Sequence, residues 1–215
     1  MKIVVLIPTA TEASLFRRDD VTTIVSGVGL TATSYATYKA IQEHRPDWLI
    51  LAGIAGVFPH SPFRIGDSMI VQDELEADLG FFTRSGFVHL AQLEIDMDFE
   101  RRHALRCPHT ASAAYLPTAR GISVNAGMAP FIDTQGFDVE NMEGAAFFYV
   151  CQREQQAFLE LRTVSNIVST TDDQWDMQGS VRAMTAALNG LIDHLQSSTD
   201  MPGNATGLHV AIHPA

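Results

Sequence analysis

The 215 residues include 14 Lys and Arg against 25 Asp and Glu, a formal net charge of −11, which argues against a dedicated nucleic-acid face because such a face needs clustered cations. Hydrophobic residues make up 46% and charged residues 18% of the chain, the balance of an ordinary folded protein, and no apolar run approaches the roughly 18 to 20 residues of a bilayer span. Cys107 and Cys151 are the two cysteines, too few and too far apart for a disulfide framework or a zinc ribbon, so reduced thiols and a cytoplasmic location are expected.

The opening segment holds a single lysine and a short apolar run, and it reads as a buried strand over Lys2 to Ile7 and not as a secretory signal. Val21 to Ser26 forms a second strand that runs into Gly27-Val28-Gly29, and alanines and aromatics at helical spacing follow up to His44. Trp48 to Ala52 is a third strand, expected to end in a small-residue turn at Gly53 to Gly56. Gly66 to Gln72 supplies a fourth, after which residues 73–118 show little readable period. Order returns with a strand at Ala119 to Val124, a loop through Asp138, a helix from about Asn141 to Gln155, a strand at Phe158 to Ser165 and a helix from about Ser180 to Leu195. Residues 197–215 mix Ser, Thr, Gly, Pro and Asn without pattern and are expected to be a loose tail. Strand, glycine turn and helix recur, so the fold class is α/β: a single domain over residues 1–196 with a central mixed, twisted β-sheet flanked by helices.

Several familiar chemistries lack their residues. Gly27 and Gly29 make a lone GxG without the third glycine or an acidic ribose hook, and the Walker, HExxH and GxSxG patterns are missing. The eight histidines are scattered with no metal-ligand spacing. No metal and no cofactor are expected. What remains is a set of polar side chains at strand ends: Glu12 after the first strand, Glu143 at a helix start, and Arg162, Ser165 and Asn166 closing a later strand. In an α/β sheet such ends gather on one side and converge on a pocket.

The phrases MKIVVLIPTATE, SGVGLTATSYA, LAGIAGVF, RIGDSMIV, VENMEGAAFFYVC and RTVSN resemble the purine nucleoside phosphorylase and nucleosidase superfamily, nearest its hydrolytic branch. They are similar to methylthioadenosine/S-adenosylhomocysteine nucleosidases and closer still to the futalosine hydrolase family, which removes hypoxanthine from futalosine in menaquinone biosynthesis. The matches span about residues 1–75 and 120–195. The resemblance implies a nucleoside phosphorylase-like fold, a small-molecule nucleoside substrate, no nucleic-acid or membrane partner, and a homo-oligomer, dimer or higher.

It also implies roles. Glu143 would bind the ribose hydroxyls with Met142 packed under the sugar, and a carboxylate there suits an oxocarbenium-like sugar; a plain helix-start carboxylate is the competing reading. Glu12 resembles the carboxylate that deprotonates the attacking water, Arg162 the arginine that helps hold that water, and Ser165 a serine supporting the base-binding residue. Asn166 stands where adenine-specific relatives carry Asp; a carboxamide cannot hand over a proton but can donate to a 6-oxopurine, so hypoxanthine-type bases are preferred. Ile54 replaces a serine of the GSAG turn in those relatives, and with Gly56 it borders the expected site. The base is expected to lie near Val124 and Asn125. Trp175 either shapes the mouth for the far end of futalosine or packs a loop onto the body, while Phe131 and Phe147 read as core. A methylthioadenosine-type nucleosidase and a nucleoside phosphorylase remain alternatives; the latter needs an anion site, for which Arg17 and Arg18 are the cations near residues 8–20.

Overall fold

The computed structural model describes residues 1–93, 99–168 and 175–198. Apart from its first two residues, the expected tail lies outside them. Ile3–Ile7 (β1) is buried along its whole length, as its unbroken apolar run requires when both faces of a strand are covered. It lies between two parallel neighbours, Thr22–Val25 (β2) and Trp48–Val57 (β3). Leu30–His44 (α1) connects them and closes on Arg45 in the left-handed conformation, φ 46°.

β3 and Phe158–Ile167 (β10), each 10 residues long, run side by side in parallel. Between their other edges stand Ser68–Glu76 (β4), Thr118–Ser123 (β8) and Val139–Asn141 (β9). Because β10 pairs with both β3 and β4, the strands β3-β9-β8-β4-β10 close on themselves, and β1 and β2 extend the sheet beyond β3. The sheet is mixed: β10 meets β4, and β3 meets β9, antiparallel. Gly144–Arg153 (α2) packs against α1, and Met177–Ser197 (α3) covers β10 and β3. No described helix is long and apolar enough to cross a membrane. The α/β class and the flanked mixed sheet agree with expectation.

Several boundaries move. The third strand does not turn at Gly53 but continues to Val57. Gly53 serves close approach instead: a Cβ there would lie 2.5 Å from Arg162 Nη1 and 3.2 Å from Glu12 Oε1. Residues 73–118 contain the end of β4, a hairpin of Gly80–Thr83 (β5) and Gly86–His89 (β6), and Leu105–Arg106 (β7) on the edge of β4. Asn141 belongs to β9 and not to the helix, and α3 starts at Met177 because Asp176 caps it by accepting from Gly179 N–H at 2.8 Å. Phe147 is core, as expected, whereas Phe131 is 55% exposed and meets the Phe82 ring edge-on. Cys107 and Cys151 are both buried, and burial pushes the Cys107 thiol up to about 12 and the Cys151 thiol well above its usual value, so neither is a poised nucleophile.

Candidate active site

A cavity of about 830 Å³ opens beside the ends of β3, β9 and β10, within the usual range for a small-molecule site. Glu12, Ile54, Gly56, Val124, Met142, Glu143, Ser165 and Asn166 all contribute to its wall. Segments distant in sequence therefore do converge, because each sits at or just past a strand end on one rim of the closed sheet.

Glu12 opens a 3-10 turn after β1 and is held from two sides. Thr9 Oγ1 donates to its Oε2 at 2.6 Å while accepting from its backbone N–H at 3.1 Å, and the Ile54 N–H donates to Oε1 at 3.1 Å. The turn is compact, and Glu12 is almost fully buried. Ile54 thus supplies a main-chain donor, so a serine side chain is not needed to fix this carboxylate.

Glu143 occupies the N-cap position of α2, yet its side chain does not cap the helix. Asn141 Oδ1 accepts from the Glu143 and Gly144 N–H groups at 2.9 and 2.7 Å, and Ser123 Oγ accepts from Ala145 N–H at 2.8 Å. Those two neighbours satisfy the helix end, which frees the Glu143 carboxylate to face the cavity. Its oxygens accept from Gly29 N–H at 3.2 Å and pair with Arg162 Nη1 at 3.1 Å. Gly29, at φ 92°, brings its backbone into position in a conformation that other residues rarely adopt.

Arg162 is fully buried and does not line the cavity. It lies behind the wall. Its guanidinium also pairs with Glu160 Oε1 at 2.7 Å and donates to Ile54 O at 3.2 Å and Asn141 Oδ1 at 3.1 Å. Burial opposes its charged form, but Glu160 and Glu143 outweigh that and hold the guanidinium protonated. Beneath it lies Glu74, also fully buried, contacted by Ser123 Oγ at 2.7 Å and Asn141 Nδ2 at 2.6 Å. Burial, then the charge of Glu160, raises the Glu74 carboxyl well above its ordinary value. Burial also raises Glu160, with Arg162 opposing. The shift favours the neutral form of Glu74 and so lowers the negative charge that one guanidinium faces from Glu74, Glu143 and Glu160. The neutral form suits the hydrogen bonds too: Ser123 has one hydroxyl hydrogen, and if Glu74 donates to it, that hydrogen is available to Asn141 Oδ1 at 3.1 Å.

Asn166 follows a bulge in β10 at Ser165, where the register against β3 shifts. Ser165 Oγ lies 2.9 Å from Asn166 Oδ1 and 3.2 Å from Ala55 O. With Oδ1 facing the serine hydroxyl, Nδ2 is, among the described residues, the end of the amide left for a ligand. Met142, 37% exposed, and Trp175, 57% exposed, complete the wall on the solvent side, so Trp175 borders the mouth. Among the described residues no cluster of His, Cys, Asp or Glu is arranged to hold a metal ion.

A sequence profile of the Phosphorylase superfamily matches residues 10–196. The chain belongs to that superfamily. The futalosine hydrolase of Thermus thermophilus is 26% identical over 192 residues, covering 83% of this chain and 84% of that protein. Among solved structures, the native futalosine hydrolase of Helicobacter pylori superposes with a TM-score of 0.67 at 16% identity, covering 91% of this chain and 98% of its own. A Neisseria meningitidis 5′-methylthioadenosine/S-adenosylhomocysteine nucleosidase in complex with methylthio-immucillin-A gives 0.68 at 15% identity, with 91% and 98% covered. These likenesses extend the phosphorylase-superfamily fold to nearly the whole chain.

Within this superfamily member, the sequence pointed to several of the cavity residues but missed others on the wall, Thr9, Glu140 and Asn141 among them, and missed the supports behind it. Thr9, Gly29, Glu74, Ser123, Asn141 and Glu160 each contact a pocket residue or the guanidinium behind it. Asn141 carried a readable signal, an Asn just before a helix. Glu74 and Glu160 did not, because an acidic residue in a strand is ordinarily taken for a solvated one.

Proposed function

We propose that the protein is a metal-independent N-ribosyl hydrolase of the futalosine hydrolase type, releasing hypoxanthine and dehypoxanthine futalosine for menaquinone biosynthesis. The observation that carries the reading is the convergence of Glu12, Glu143 and Asn166 on one cavity. Glu143 accepts hydrogen bonds from the ribose hydroxyls, with Met142 against the sugar. As the C1′–N9 bond breaks, its electron pair leaves with the base as the purine anion, which takes up a proton from solvent to become hypoxanthine, and the sugar becomes cation-like, a charge that the two carboxylates stabilise. Water adds to C1′ and gives its proton to Glu12. Arg162 acts through Glu143 as a positioning residue. The Asn166 amide N–H donates to O6 and N7 of the base, both acceptors in a 6-oxopurine, and Ser165 fixes which end of the amide faces it.

Hydrolysis is favoured over phosphorolysis by charge. No Lys, Arg or His is among the described residues lining the cavity. Arg18 is engaged by Asp20 and Asp193, each at 2.6 Å, and Arg17 by the Ala13 and Phe16 carbonyls. The adenine-directed alternative is disfavoured by the Asn166 amide. A homo-oligomer in the cytoplasm is part of the same proposal, and the exposed Phe81, Phe82 and Phe131 support a covered surface; light scattering would give the subunit count.

The test is product identification from futalosine, methylthioadenosine and inosine in phosphate-free buffer. Hypoxanthine release from futalosine without phosphate is expected. An absolute need for phosphate, or a preference for methylthioadenosine, would overturn the reading.

A further inference from the structure

We propose that a second, smaller cavity beside the mouth of the first seats an aromatic carboxylate carried on the 5′ side of the nucleoside, with Arg182 pairing to that carboxylate. This rests on the hydrolase reading for the place of the sugar and goes further in saying what selects a nucleoside with an acidic aryl tail.

The position of the second cavity carries the inference. It measures about 260 Å³ and lies between the turn after β1 and the start of α3. That is below the roughly 300–1,000 Å³ of a complete small-molecule site, so it suits part of a ligand. Met177 lines both cavities, which makes them neighbours. The 3-10 turn Glu12–Leu15 shows its carboxylate to the main cavity and Ser14 and Leu15 to the second. In the main cavity the base takes the Asn166 end and the 2′ and 3′ hydroxyls face Glu143, which leaves the 5′ substituent the stretch of wall where Trp175 and Met177 open to solvent. A tail leaving there meets the second cavity next.

The lining fits an amphipathic tail. Val181 is buried, while Leu15 is 51% and Met177 36% exposed, so apolar surface is available to a ring. Gln178 and Arg182, four residues apart and hence on one face of α3, add donors to the same wall. Arg182 is exposed and makes no hydrogen bond or ion pair with another described residue. The acids of its helix are engaged elsewhere: Asp176 caps α3, and Asp193 pairs with Arg18 at 2.6 Å. A planar guanidinium matches a carboxylate with two parallel hydrogen bonds. The benzoate end of futalosine is such a tail; a methylthio group and the plain 5′ hydroxyl of inosine are not.

Dehypoxanthine futalosine keeps the sugar and the benzoate but has no glycosidic bond to a base, so calorimetric titration reads its binding without turnover. The wild-type protein is expected to bind it about fivefold to tenfold more tightly than its methyl ester, and the gap should narrow as salt is raised toward about 1 M. Arg182→Met should bind acid and ester alike, with Arg182→Lys in between and hypoxanthine affinity unchanged. In turnover, Arg182→Met should raise KM for futalosine by a similar factor with kcat retained. Equal wild-type affinity for acid and ester, no binding of either, or an acid preference within about twofold of wild type in Arg182→Met would overturn the proposal. Hypoxanthine release from futalosine alongside such a result would leave the hydrolase reading standing. An acid preference that vanishes in Arg182→Met, together with no hypoxanthine release from futalosine, would support the second cavity while overturning the hydrolase reading.

Discussion

Replacing Arg162 with methionine would remove the guanidinium that now lies 2.7 Å from Glu160 and 3.1 Å from Glu143. Both acids are nearly or fully inaccessible to water, so solvent cannot take over its role. Removing one partner of a buried ion pair costs about 3–5 kcal/mol, a large share of the roughly 5–15 kcal/mol that holds a domain folded. At about 2–4 °C per kcal/mol for a chain of this size, the melting temperature should fall by roughly 6–20 °C. Adding Glu160→Gln to that variant removes one of the stranded charges, so the pair should be less unstable than the sum of the single changes. Activity should fall further than the melting loss explains, since Glu143 keeps the Gly29 N–H but loses its ionic tether. The assay is a thermal melt of the four proteins of this cycle, with turnover measured well below each transition. A loss under about 3 °C in Arg162→Met, or strict additivity with Glu160→Gln, would refute the buried-network account.

Glu12→Gln keeps the size and the Ile54 contact of the carboxylate but cannot accept the proton of water; kcat should drop by roughly 10² to 10⁴ with hypoxanthine affinity retained, and near-normal turnover would remove Glu12 from its proposed role. Asn166→Asp should narrow the preference for futalosine over methylthioadenosine, read as a ratio of kcat/KM; an unchanged ratio would place base selection elsewhere. Glu74 gives a pH signature. Its folded-state value is raised, so its contribution is full below the ordinary carboxylate range and is lost as pH climbs through the raised value. Glu74→Gln cannot ionise, so its melting temperature relative to wild type should improve as pH rises above the ordinary carboxylate range, and parallel curves would count against a raised Glu74.

The sheet was readable where burial on both faces left unbroken apolar runs, as in β1 and the first half of β3. It was misread where glycine answers to neighbours distant in sequence. Gly53 looks like a turn because local reasoning associates glycine with conformational freedom, whereas here it makes room for Arg162 and Glu12. Residue types at strand ends identified the pocket wall, but the register did not follow from them, because the bulge at Ser165 decides which face Asn166 presents. A carboxylate such as Glu140 then joins the wall through pairing with Gly56, a contact that no spacing along the chain encodes.

The distribution of charge links these details to chemistry. Glu12, Glu140 and Glu143 stand on the cavity wall, and the cation nearest them is set behind it and already committed to Glu143 and Glu160. The raised Glu74 carboxyl favours its neutral form, which limits the negative charge in the buried layer that competes with Glu143 for Arg162. The pocket thus presents carboxylates to a sugar that acquires positive charge only as the glycosidic bond breaks. At an effective dielectric near 20, a unit charge about 4 Å from a carboxylate is worth about 4 kcal/mol, roughly three decades of rate if that charge exists only in the transition state. The same field repels an incoming phosphate dianion and leaves water unaffected. Adding phosphate to the futalosine assay should therefore leave the rate unchanged and yield no sugar phosphate, and a rate that rises with phosphate would mean that an anion site exists where the described wall presents acids and no cation.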